Sequence, residues 1–172
     1  MLSLPGITVQ ILLYESANSL VYRGVREQDN QPIILKLLKE NYPTPQELLR
    51  YRTEYHITRD LKQPGVVQVY DLQKYQNTLV MLIEDFGGES LKLWMEQRQF
   101  GLEEFLEIAI KTTEILEQIH AANIIHKDIN PSNIIYNPAT GQLKIIDLGI
   151  STQLTRETPT IKNPCVLEGT LA

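Results

Sequence analysis

The chain has 172 residues, 42% hydrophobic and 22% charged, with 21 acidic against 16 basic side chains and a net charge of −5. Such a composition suits a folded globular chain, long enough for one core or two small units, and its acidic balance argues against a general nucleic-acid or anionic-membrane binder. The single cysteine, Cys165, excludes an internal disulfide and a cysteine-built metal site. No apolar run approaches the ~18 residues of a membrane span, and residues 1–6 lack the charged start and apolar core of a secretion signal. The expectation is a cytoplasmic protein without a membrane span.

The front of the chain reads as strands. Residues 9–14 and 19–26 are β-rich runs separated by the small polar stretch Glu15-Ser16-Ala17-Asn18. A second turn, Gln28-Asp29-Asn30-Gln31, leads into residues 32–38, a near-continuous apolar run interrupted by Lys36. Thr44 suits an N-cap, Pro45 the first helical position, and Glu47, three residues after Thr44, completes a capping box. A helix is therefore predicted from there to about Leu61, closed off by Gln63-Pro64-Gly65. Strands are predicted at 66–72 and 78–84, joined by a turn at Gln76-Asn77.

Beyond Gly87-Gly88 the pattern turns helical, with a short segment at 90–97 and a long one at 102–121. In the long one Leu102, Phe105, Leu106, Ile108, Ala109 and Ile110 cover most of the circumference, so burial on several sides is expected. A loop at 126–133 precedes two strands, 134–136 and 143–146, connected by the turn Asn137-Pro138-Ala139-Thr140-Gly141. The closing stretch, rich in Thr, Pro and Asn, reads as a flexible segment.

The sharpest chemical signal is His126-Lys127-Asp128-Ile129-Asn130-Pro131-Ser132-Asn133, followed 14 residues after Asn133 by Asp147-Leu148-Gly149. Phosphoryl transfer needs Mg²⁺ held by oxygen ligands, a positive group on the phosphates and a carboxylate near the attacking hydroxyl. Asp128, Asn133 and Asp147 are residue types that meet those needs. Residues 126–133 resemble the H-R-D-x-x-x-x-N catalytic loop of protein kinases, and Asp147-Leu148-Gly149 resembles their D-F-G. The resemblance implies that Asp128 is the catalytic base and that Asn133 and Asp147 are metal ligands. It also places Lys36, in Ile34-Leu35-Lys36, as the third-strand lysine that contacts phosphates, with Glu54 as its partner. Val21 and Ile34 would line the adenine pocket. Ile83-Glu84-Asp85-Phe86 would form the hinge, with Ile83 as gatekeeper and Glu84 and Phe86 offering backbone bonds to adenine. Gly169-Thr170 is similar to the pair that closes the activation segment.

The resemblance runs from about Val9 to Thr170, and the Pro-Ser-Asn wording of the loop is closer to serine/threonine than to tyrosine kinases. The chain resembles the N-terminal kinase domains of bacterial, cyanobacterial-type multidomain sensor kinases. It implies an α+β, protein-kinase-like fold: a five-stranded antiparallel sheet with one helix over residues 1–86, then the beginning of a helical lobe over 87–172. It implies ATP and Mg²⁺ as cofactors, a protein carrying Ser or Thr as substrate, and further domains of a signalling protein as partners.

Several positions depart from the family's pattern. Tyr14, Ser16 and Ser19 stand where the glycine-rich loop has glycine. The hydroxyls of Ser16 and Ser19 are expected to contact phosphate in its stead, while Tyr14 adopts positive φ only at a cost. Ile34 replaces an alanine, Lys127 an arginine, Leu148 a phenylalanine, and Asn130 a lysine that steadies the γ-phosphate. The sequence ends two residues after Thr170, before any A-P-E element, which gives the expectation of a fragment of a larger kinase. His126 reads as a packed structural residue, His56 and His120 as structural or surface residues, and Ser151, Thr152, Thr155, Thr158 and Thr160 as a solvated loop. Two other functions fit less well: a catalytically impaired nucleotide-binding or scaffold module, and a small-molecule phosphotransferase, whose loops read H-G-D. Lys127, Gly149 and Gly169-Thr170 favour the protein-kinase reading over the latter.

Overall fold

The computed structural model describes residues 2–39 and 43–153. In chain order these form β1 (Ile7–Glu15), β2 (Ser19–Arg26), β3 (Gln31–Leu38), α1 (Pro45–Asp60), β4 (Val69–Tyr75) and β5 (Thr78–Glu84). There follow β6 (Glu89–Ser90), α2 (Leu91–Gln97), α3 (Leu102–Ala121), β7 (Ile124–Ile125), a 3₁₀ turn (Pro131–Asn133), β8 (Ile134–Asn137), β9 (Gln142–Ile145) and β10 (Thr152–Gln153). The chain divides into two compact units, Met1–Arg59 with Gln68–Phe86, and Asp60–Val67 with the chain from Gly87 onward.

The first unit is the expected five-stranded antiparallel sheet with one helix, in the order β1-β2-β3-β5-β4. Because side chains alternate along a strand, β3 serves two faces. Ile33, Leu35 and Leu37 point into a core with Leu2, Leu4, Ile7, Val80 and Leu82. On the opposite face Leu38, Leu79 and Met81 pack with Tyr51 of α1 and Val69. The capping box forms at the start of α1: the Thr44 N–H donates to Glu47 Oε2 (2.8 Å) and the Glu47 N–H donates to Thr44 Oγ1 (3.3 Å).

In the second unit β6, β8 and β9 make a three-stranded sheet, and β7 pairs with β10. Residues 60–67, which a single cut near Phe86 would leave in the first unit, pack here instead. Gly65 is the reason they fit: a Cβ at that position would lie 2.1 Å from Ile115 Cγ1 of α3. Its carbonyl accepts from the Ile145 N–H (2.8 Å), and Val66 forms a parallel bridge with Ile145. The strand expected from residue 66 accordingly begins only at Val69, since Val66 belongs to the second unit and is bridged to Ile145 there.

The long helix α3 corrects a second expectation. It buries Ile108, Ile115 and Ile119, but Leu102, Phe105, Leu106 and Ile110 are exposed. Among the described residues its strand neighbours are β7 and β9, so an apolar circumference is covered on one side only. The closing stretch is more ordered at its start than expected, because Thr152 and Gln153 pair with Ile125 and Ile124. Thr155, Thr158, Thr160, Cys165 and Gly169-Thr170 lie outside the described residues.

Candidate active site

In the first unit the register of the sheet sets which side chains share a face. Lys36 on β3 stands between Val21 on β2 and Met81 on β5, and Ile34 stands between Arg23 and Ile83. Cross-strand neighbours point the same way, so Val21, Ile34, Lys36 and Ile83 are on the α1 side of the sheet. The structure brings Lys36 and Glu54 together: Nζ donates to Oε1 at 2.6 Å, with the side chains 15% and 9% exposed. Glu54 is in the middle of α1, and the helix is tied to the same point of β3 by Tyr51, whose hydroxyl donates to the Lys36 carbonyl. A lysine so largely removed from water gains from a partner of this kind, because an isolated ammonium out of water is strongly disfavoured.

In the loop between β1 and β2 the two serines bond to each other and to the loop backbone. Ser16 Oγ accepts from the N–H groups of Ser19 (3.0 Å) and Asn18 (3.3 Å), and lies 3.0 Å from Ser19 Oγ. The Ser16 N–H donates to the Ser19 carbonyl (2.9 Å). The two hydroxyls thus close the hairpin on itself, as serine commonly does in turns. Tyr14, Ser16 and Ser19 all keep negative φ, so this loop does not demand the conformation that glycine would supply.

At the end of β5 both acidic side chains are engaged. Glu84 Oε1 accepts from the Gln68 N–H (2.5 Å), while the Glu84 N–H donates to the Gln68 carbonyl (2.9 Å). Asp85, its side chain 6% exposed, accepts from Arg23 Nε at 2.6 Å. Glu84 is therefore tied to Gln68, just before β4, and Asp85 to Arg23 of β2. Sequence reasoning missed Arg23: its place beside Ile34 follows from strand pairing, but its partner is 62 residues away.

In the second unit a buried histidine organises the loop. His126, 1% exposed, accepts from the Asp128 N–H at Nδ1 (3.2 Å), and its Nε2 lies 2.9 Å from the Ile146 carbonyl. Only the neutral imidazole with its proton on Nε2 makes both bonds. Burial holds its pKa below the ordinary histidine value, outweighing the opposing pull of the Ile146 carbonyl and the charges of Asp147 and Asp128. The Ile146 N–H donates to the Asn133 carbonyl (3.0 Å), so the residue before Asp147 is bracketed by both ends of the loop.

Asp128 is held from two directions. Asn133 Nδ2 donates to Asp128 Oδ2 (2.9 Å) and to its carbonyl (2.9 Å), and Asn130 Nδ2 donates to Oδ1 (3.1 Å). With its amide nitrogen committed, Asn133 offers Oδ1, a hard oxygen of the type Mg²⁺ prefers. Asp147 adds a carboxylate, and its Oδ1 accepts from the Gly149 N–H (3.2 Å). Among the described residues no three His, Cys, Asp or Glu side chains gather as a metal cage. One amide and one carboxylate fit a Mg²⁺ that keeps waters and phosphate oxygens as its remaining ligands. Lys127 (φ +69°) and Asp147 (φ +65°) both adopt the left-handed region, a cost that concentrates at functional sites. Leu148, 2% exposed, anchors the segment that carries Asp147.

Residues 15–171 match the protein kinase domain. The chain belongs to the protein kinase family, and by resemblance it is a eukaryotic-like serine/threonine kinase domain. It is 29% identical to the serine/threonine-protein kinase PknA of Mycobacterium tuberculosis, over 83% of this chain and 35% of that protein. It is 29% identical to the probable serine/threonine-protein kinase CPE1738 of Clostridium perfringens, over 84% of this chain and 21% of that protein. Identity to ribosomal protein S6 kinase alpha-3 of Homo sapiens is 27%, over 86% of this chain and 20% of that protein. The chain spans about a third or less of the length of these curated relatives.

Proposed function

We propose that this chain carries the nucleotide-handling and catalytic-loop part of a kinase that phosphorylates serine or threonine in a protein substrate. The observation that carries the reading is the Asp128 carboxylate, held on both oxygens by side-chain amides in a loop that also fixes the backbone next to Asp147. Bound Mg²⁺-ATP supplies the transferable phosphoryl group. In this reading Asp128 orients the substrate hydroxyl and receives its proton. Lys36, placed by Glu54, contacts the α- and β-phosphates, while Asn133 Oδ1 and Asp147 hold Mg²⁺. Val21, Ile34 and Ile83 offer the apolar face for adenine, with the backbone of Glu84 and Phe86 binding its edge. Ser16 and Ser19 shape the loop over the phosphates through the hairpin they close.

The setting we propose is the cytoplasm, within a longer signalling protein, as the resemblance to multidomain sensor kinases suggests. Among the described residues no helix is long and apolar enough to cross a membrane. One observation favours a second reading, a nucleotide-binding module with impaired turnover: the amides of Asn18 and Ser19 are already bonded to Ser16 Oγ, which leaves fewer donors for phosphate. Phosphate transfer from labelled ATP to a generic protein substrate separates the two. Transfer that Asp128→Asn reduces by about 100-fold or more, the usual scale of general-base loss, is the expected outcome. Nucleotide binding with no transfer would establish the second reading instead.

A further inference from the structure

We propose that Asn130 is a positioning residue that clamps the Asp128 carboxylate, at the place where protein kinases usually carry a lysine. The inference rests on the reading of Asp128 as the group that orients the substrate hydroxyl. The orientation of the Asn130 amide is fixed by its other end, because Oδ1 accepts from the Ser132 N–H (2.9 Å) and caps the 3₁₀ turn. That leaves Nδ2 turned toward Asp128, 3.1 Å from Oδ1 and 3.3 Å from the carbonyl. Asn133 Nδ2 meets the other carboxylate oxygen at 2.9 Å. Each oxygen thus has its own amide donor, and rotation of the carboxylate breaks at least one bond.

A lysine at this position would place a charge on a long flexible stem with three interchangeable donors. Asparagine places a short planar donor whose direction is set by the turn it caps. The exchange gives up a positive charge near the transferred phosphoryl group and keeps the alignment of the carboxylate. Alignment of a reacting group matters to rate more than to ground-state binding.

The substitution Asn130→Ser isolates this role without adding charge, since its hydroxyl can still cap the 3₁₀ turn while the amide donor facing Asp128 is removed. The clamp predicts that kcat for protein phosphorylation falls roughly tenfold, well inside the ~100-fold that a 1 Å misplacement can cost, while KM for ATP stays constant. Wild-type kcat in Asn130→Ser would assign Asn130 to capping alone and overturn the proposal. A second readout is independent of turnover: the side-chain amide ¹H–¹⁵N signal of Asn130 in the whole chain. It should exchange slowly with water in the wild type and move to the solvent-exposed asparagine range in a folded Asp128→Ala variant. A signal indifferent to Asp128→Ala would overturn the clamp. A wild-type chain that transfers no phosphate counts against the proposed function, and the amide signal then decides the clamp by itself.

Discussion

Lys36 and Glu54 carry opposite charges in a setting where neither side chain is more than 15% exposed. Removing one partner takes this ion pair from the other in a largely dry setting, a loss that reaches roughly 3–5 kcal/mol for fully buried pairs. Glu54→Ala should therefore lower the denaturant midpoint markedly, and the double variant Lys36→Met/Glu54→Ala should recover part of the loss. Equal midpoints for the single and double variants would show that the two side chains do not interact in solution. His126 makes a prediction in pH. Its folded-state pKa is lowered by burial, so as pH falls below the ordinary value of 6.5 the unfolded chain takes up a proton that the folded chain resists. Between the two pKa values stability rises with pH; it is fully present above the ordinary value and is lost as pH falls toward the folded one. Urea denaturation at pH 7.5 and 5.5 should show a lower midpoint at pH 5.5, with a smaller difference in His126→Phe. The same difference in both would assign the effect to other groups.

At the scale of elements, the local chemistry of contiguous residues was legible and the chemistry of distant partners was not. Thr44, Pro45 and Glu47 announce the start of α1 within four positions, and the capping box they form is present. Thr44→Ala should cost about 1 kcal/mol, measurable as a fall in the denaturant midpoint, and no change would show that the box contributes nothing in solution. Residues 126–133 were legible for the same reason, since His126, Asp128, Asn130 and Asn133 find their partners within the loop or next to Asp147. By contrast, the two-residue strands β6, β7 and β10 exist only through pairing with segments that periodicity does not reveal. Val66 reads as the start of a strand, yet it is claimed by Ile145. Ser16 and Ser19 read as phosphate contacts from their position in the motif, while the bonds they make within the tight hairpin were not legible. Gly65 stands beside a proline and reads simply as a helix stop. Its contact with Ile115 makes it a packing position, so Gly65→Val should destabilise the chain by roughly 1–3 kcal/mol, the usual cost of overpacking. A variant as stable as the wild type would show that Ile115 can move aside.

At the scale of the whole molecule, the residues of the proposed function are divided between the two units. Val21, Ile34, Lys36, Glu54 and the 83–86 segment belong to the first, and Asp128, Asn130, Asn133 and Asp147 to the second. The order of motifs along the chain made the family legible, because a lysine, a glutamate, a loop and an Asp-x-Gly in sequence are tied to a shared chemistry. The Arg23–Asp85 pair was not legible, and it offers a check on the proposed adenine side alone. Asp85→Asn should weaken nucleotide binding without altering the response to Mg²⁺, and unchanged affinity would make the pair a purely structural contact. The most direct test of the central claim is calorimetric titration of the purified 172-residue chain with Mg²⁺-ATP, beside the folded variant Asp147→Ala. Saturable binding that depends on Mg²⁺ and is lost in Asp147→Ala is the result predicted. A folded chain that binds no nucleotide, or binds it equally well without the Asp147 carboxylate, would contradict the account.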